Sequence, residues 1–88
     1  MVDPKGVLER RYAEVYASLH AQLQERRQSD AAFGVDDLRG FLKDAYIRQG
    51  NDWIGHGPLF DATQSAIIAA YEAVLAEWLA DIANESEP

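Results

Sequence analysis

Apolar residues recur at helical spacing in three stretches of the chain, and nowhere does the two-residue alternation of a strand persist. The first stretch puts Leu8, Tyr12, Val15, Leu19 and Leu23 on one stripe, flanked by Val7 and Tyr16. Arg10, Glu14, Ser18, Gln24 and Glu25 take the opposite side, and Gln22 and Arg26 interrupt the seam near its end. Asp3 before Pro4 reads as an N-cap with proline at the first helical position. The pattern predicts a one-faced helix over about 4–28. A turn follows from Ser29 to Val35, in which Gly34 supplies a permissive backbone and Phe33 plugs the end of the core.

The second stretch is shorter. Leu38, Phe41, Leu42 and Ala45 form its inner side and Tyr46 flanks it. Asp36 or Asp37 is the expected cap, and Lys43 and Arg48 lie near the far end, as the helix dipole favours. The predicted helix covers about 37–49. Gly40, inside it, costs up to about 1 kcal/mol relative to alanine and marks a candidate close contact. Gly50 fits the left-handed residue that follows a helix end.

The third stretch predicts the longest helix, about 61–84, and it has two packable faces. Ile67, Tyr71, Val74, Trp78 and Ile82 fall together, flanked by Ile68, Leu75 and Leu79. The other side holds Ala62, Ala66, Ala69, Ala73, Ala76, Ala80 and Ala83, at alternating steps of four and three residues. Such a heptad seam of small side chains lets another helix approach closely, whereas alanine as filler would not keep to one seam. Glu72, Glu77 and Asp81 stay off it. A helix packed on both sides is either the centre of a bundle or the interface of an oligomer. Asp61 with Gln64 fits a capping box, and Pro58 allows an earlier start.

The expected architecture is therefore all-α, a three-helix bundle forming a single domain over residues 1–88, with residues 85–88 frayed into solvent. The first and third helices match in length and can pair throughout. The second covers only about half of the groove between them, since it rises only about 20 Å. The uncovered groove and the alanine seam favour a helical homodimer, with Ala62, Ala66, Ala69, Ala73, Ala76 and Ala80 as its candidate interface.

Composition narrows the function. The chain has 88 residues, no cysteine and a formal net charge of −7. All eight lysines and arginines lie in the first 48 residues, beside eight acids, and from Gln49 onward there are seven acids and no base. An acidic half without a basic stripe argues against nucleic-acid binding. No run approaches the roughly 18 apolar residues of a membrane span, and the N-terminus lacks the apolar core of a signal peptide. The expectation is a cytoplasmic protein that binds neither membrane nor nucleic acid.

Candidate chemistry is sparse. Gly50 to Phe60 packs three glycines, Pro58, Trp53, Ile54 and His56 into eleven residues. Such a loop serves either as an apolar lid or as a small binding site. In the second case His56 is the titrating group, Asp52 or Asp61 orients its ring and Trp53 walls the pocket. No metal is expected, because the other histidine, His20, shares no ligand spacing with His56 and reads as a boundary residue. No nucleophile elbow, phosphate loop or cofactor signature is present. The leading expectation is a small acidic helical protein–protein interaction module, such as an adaptor, inhibitor or assembly factor, with a basic protein partner. The alternative is a ligand-binding or enzymatic oligomer with its site around the 50–61 loop and His56.

Overall fold

The computed structural model describes residues 4–51 and 57–86, and among these it contains three helices and no strand. They are α1 (Pro4–Ser29), α2 (Val35–Asn51) and α3 (Pro58–Ser86). Helix α1 begins where periodicity predicted, the other two begin two or three residues earlier, and all three end one or two residues later; the caps explain the earlier starts. The Gly34 carbonyl accepts from the Asp37 and Leu38 N–H groups, at 3.1 and 3.2 Å. Gly34 is thus the N-cap of α2. Asp37 does not cap the helix itself; it sits in the first turn and its Oδ2 accepts from the Gly34 N–H at 2.8 Å. This is the returning half of a capping box.

The start of α3 follows the same logic. The Asp61 N–H donates to the Gly57 carbonyl at 3.1 Å, so Gly57 caps and Pro58 is the first helical residue. Asp61 lies inside the first turn, where its charge suits the helix dipole. Gly57 adopts φ 98°, a backbone region that costs other residues dearly. Gly50 remains helical, since α2 runs on to Asn51. Gly40 marks no close contact either: a Cβ built there meets nothing within 4 Å. Between α1 and α2, the Asp30 Oδ1 accepts from the Ala32 N–H at 3.0 Å and the Asp30 carbonyl from the Phe33 N–H at 3.1 Å, which closes a tight turn.

Helix α3 is central. It packs against α1 and against α2, while α1 and α2 come no closer than 8 Å, Cα to Cα, among the described residues. Side-chain pairs fix the directions. Leu8 and Tyr12 lie beside Ala62, His20 reaches Glu77 and Arg27 reaches Asp81, so α1 and α3 run parallel. Phe41 and Ala45 lie with Ile67 and Tyr71, and Arg48 with Gln64, so α2 runs antiparallel to both. At about 100° per residue, the α3 side chains that meet α1 and those that meet α2 point about 120° apart. The three helices therefore form an open, V-shaped layer with α3 at its vertex, within dimensions of 55 × 30 × 22 Å.

The core is small and lies where the α1–α2 turn folds over α3. Leu23, Phe33, Leu38 and Val74 form it, with Leu19, Phe41, Tyr71, Leu75 and Trp78 packed against its edge. Phe33 plugs this end as its position in the turn foretold, with its ring centroid 5.9 Å from that of Phe41 and 5.7 Å from that of Trp78. Arg26, which breaks the apolar seam of α1, lays its guanidinium 4.4 Å from the Phe33 ring centre. Arg27 does the same over Trp78 at 4.8 Å and pairs with Asp81 at 2.8 Å. Both arginines roof the aromatic cluster with their stems while keeping their charge in water.

Candidate interaction surfaces

The backbones of α1 and α2 stay more than 8 Å apart on the two flanks of α3, and their side chains meet around Leu23, Phe33 and Leu38 at the turn end, so an open groove runs between them beyond that cluster. Ile67 and Tyr71 form its floor. The α1 wall carries Arg11, Glu14, Val15, Ser18, Leu19 and Gln22, and the recess on that side holds about 380 Å³. The α2 wall carries Phe41, Asp44, Ala45 and Arg48, with a smaller recess of about 160 Å³. The groove has an apolar floor and a charged rim. None of Arg11, Glu14, Asp44 and Arg48 has a side-chain hydrogen bond or ion pair among the described residues.

On the opposite side of the α1–α3 contact lies a polar strip. Tyr12, Tyr16 and His20 stack in a column along α1, with centroid separations of 6.4 and 5.7 Å. His20 Nε2 stands 3.2 Å from both carboxylate oxygens of Glu77, and Gln24 donates to the same carboxylate. Glu77 and Asp81 are thus occupied in tying α3 to α1. His20 is a boundary residue with a structural partner, as its place at the edge of the stripe suggested.

The alanine seam divides along its length. Ala66 is fully buried within the single chain, Ala62, Ala69 and Ala73 are half-buried, and Ala76 and Ala80 are exposed. Ala62 lines a shallow apolar recess with Leu8 and Tyr12, and Ala66 follows one turn later on the same side. The upper seam therefore faces α1. Ala70, which lies off the seam, is also fully buried.

The open face of α3 carries Asp61 and Glu72, eleven residues or about three turns apart. Both are exposed. Tyr46 of α2 stands beside Glu72, and its phenol is held above the ordinary tyrosine value, first by desolvation and then by the charge of Glu72 and a hydrogen bond to it. Asp52, Trp53 and His56 lie outside the described residues, so of the four loop-site candidates only Asp61 can be placed. No group of three or more histidines, aspartates or glutamates close enough to share a metal ion occurs among the described residues. No helix there is long and apolar enough to cross a membrane.

Sequence reasoning missed the groove-rim charges. Glu14 read as part of the polar side of the first helix, and nothing in the spacing told that α1 and α2 would stand apart. Comparison with protein-family models, with curated proteins and with solved structures found no significant match.

Proposed function

We propose that the chain is a small helical protein–protein interaction module that works as a homodimer and offers the acidic open face of α3 to a basic partner. One observation carries most of this reading: the chain exposes about a fifth more surface than its mass warrants. Its accessible surface is 6247 Å², whereas a compact folded chain of 9.8 kDa exposes about 5,200 Å². The radius of gyration, 15.3 Å, likewise exceeds the roughly 12 Å of a compact chain of this length. The surplus, on the order of 1,000 Å², matches what one partner contributes to a standard interface, roughly 800 Å². A thin layer with a small core gains stability by being covered.

The acidic half supports the second element. Asp61 and Glu72 are the acids to test: Glu77 and Asp81 tie α3 to α1, whereas among the described residues Glu72 accepts only from the exposed phenol of Tyr46, whose loss the single change Tyr46→Phe controls for. Immobilised wild-type protein should retain a basic partner at low salt and release it as salt rises. The double variant Asp61→Lys/Glu72→Lys, with its helical content unchanged by circular dichroism, should not retain it. If the same proteins bind both forms, the acidic face is not the contact surface.

A further inference from the structure

We infer that the groove between α1 and α2 is the two-fold interface of the homodimer, and that its rim charges set the register. This inference rests on the dimer proposed above and names the surface and the pairing.

Four rim charges carry it. On α1, Arg11 and Glu14 are three residues apart, and on α2, Asp44 and Arg48 are four apart, so each pair lies one above the other on a single wall. Helix α1 runs parallel to α3 and α2 runs antiparallel. Arg11 and Arg48 therefore both stand at the end of the groove nearer the α3 N-terminus, where Arg48 lines the recess with Gln64. Glu14 and Asp44 both stand about one turn further along. The rim consists of a row of two bases, Arg11 and Arg48, and about one turn further along the groove a row of two acids, Glu14 and Asp44.

A two-fold interface presents the same patch on both copies, so the patch must complement itself. This one does. A two-fold axis lying in the plane of the interface and running across the groove, perpendicular to α3 near Ile67, sets the two copies face to face with α3 reversed and lays the base row of one copy on the acid row of the other. The apolar floor then meets its own image at the centre, with the charges at the rim, the usual anatomy of a specific interface. A foreign helix would have no reason to match this order, since its own charges would decide the fit. The surplus surface of the chain is large enough to supply one side of such a contact.

Two charge-swapped chains test the inference. The acidic chain carries Arg11→Glu and Arg48→Glu, and the basic chain carries Glu14→Arg and Asp44→Arg. All four positions are exposed, so both chains should fold, as circular dichroism will verify. Each alone meets its own charge across the axis, and its self-association should weaken by at least about tenfold. Mixed at low salt, they should form a one-to-one heterodimer, read by sedimentation or native mass spectrometry. Wild-type and both variant chains that are equally dimeric, with no preference for mixing, would place the dimer contact elsewhere, on the Ala76 and Ala80 face, and leave the homodimer standing. A wild-type chain that stays monomeric would overturn both the groove pairing and the homodimer.

Discussion

Among the described residues, Leu38 and Val74 are the largest side chains buried completely, and they mark where the fold is most sensitive. Leu38→Ala should cost about 2–5 kcal/mol, because a cavity opens beneath Phe33 and Phe41. Leu79, 38% exposed on the open face of α3, should lose less than about 1 kcal/mol on the same change. Urea denaturation of both variants checks the pair, and equal losses would mean that the assigned inner face is wrong. The glycines make a second contrast. Gly40 is helical and exposed with open space at its Cβ, so Gly40→Ala should stabilise by about 0.5–1 kcal/mol. Gly57 also has open space, but its φ of 98° makes the backbone unsuited to alanine, so Gly57→Ala should destabilise by about 1–2 kcal/mol. Opposite signs from one substitution would separate helix propensity from backbone strain. The cost of Gly40 was legible in the sequence. Its reason was not a close contact, and the special backbone belonged to Gly57 instead of Gly50.

The helices themselves were legible because their stripes are long and regular. Their ends were less so, because several residues could cap. Asp36, Asp37 and Asp61 all have cap chemistry, yet glycines took both caps and left the acids in the first turns, where Asp37 and Asp61 meet free N–H groups or the dipole. The two packable faces of α3 were also visible beforehand, and they make it the middle element. What periodicity could not supply was the angle between its neighbours. Ala62 meets α1, while Gln64 and Tyr71 meet α2, and only their angular separation sets α1 and α2 apart. The link between α2 and α3 can be probed through Tyr46. Its raised pKa means that the folded state holds the phenolic proton more tightly than the unfolded chain does. Its contribution to stability is therefore present below the unfolded value of about 10 and is lost as pH rises through the folded value. Ultraviolet titration should show one phenol ionising later than the others, and Tyr46→Phe should remove that step.

At the scale of the whole molecule, the chain is a layer that leaves a groove. The shortness of α2 foretold an incomplete cover, since it has 17 residues against 26 in α1 and 29 in α3. The identity of the exposed groove was hidden, because Arg11, Glu14, Asp44 and Arg48 come together only through the parallel and antiparallel directions of three separate helices. The seam residues Ala76 and Ala80 stay exposed and remain available to a further contact. No constellation among the described residues suggests a reaction, while surface area, groove and charge order all favour association.

Sedimentation equilibrium of the wild-type chain over a wide concentration range tests this most directly. The account predicts a mass of twice 9.8 kDa, falling toward one chain only on dilution, together with a melting temperature that rises with concentration. A single chain of 9.8 kDa at every concentration, with a melting temperature that does not move, would contradict it.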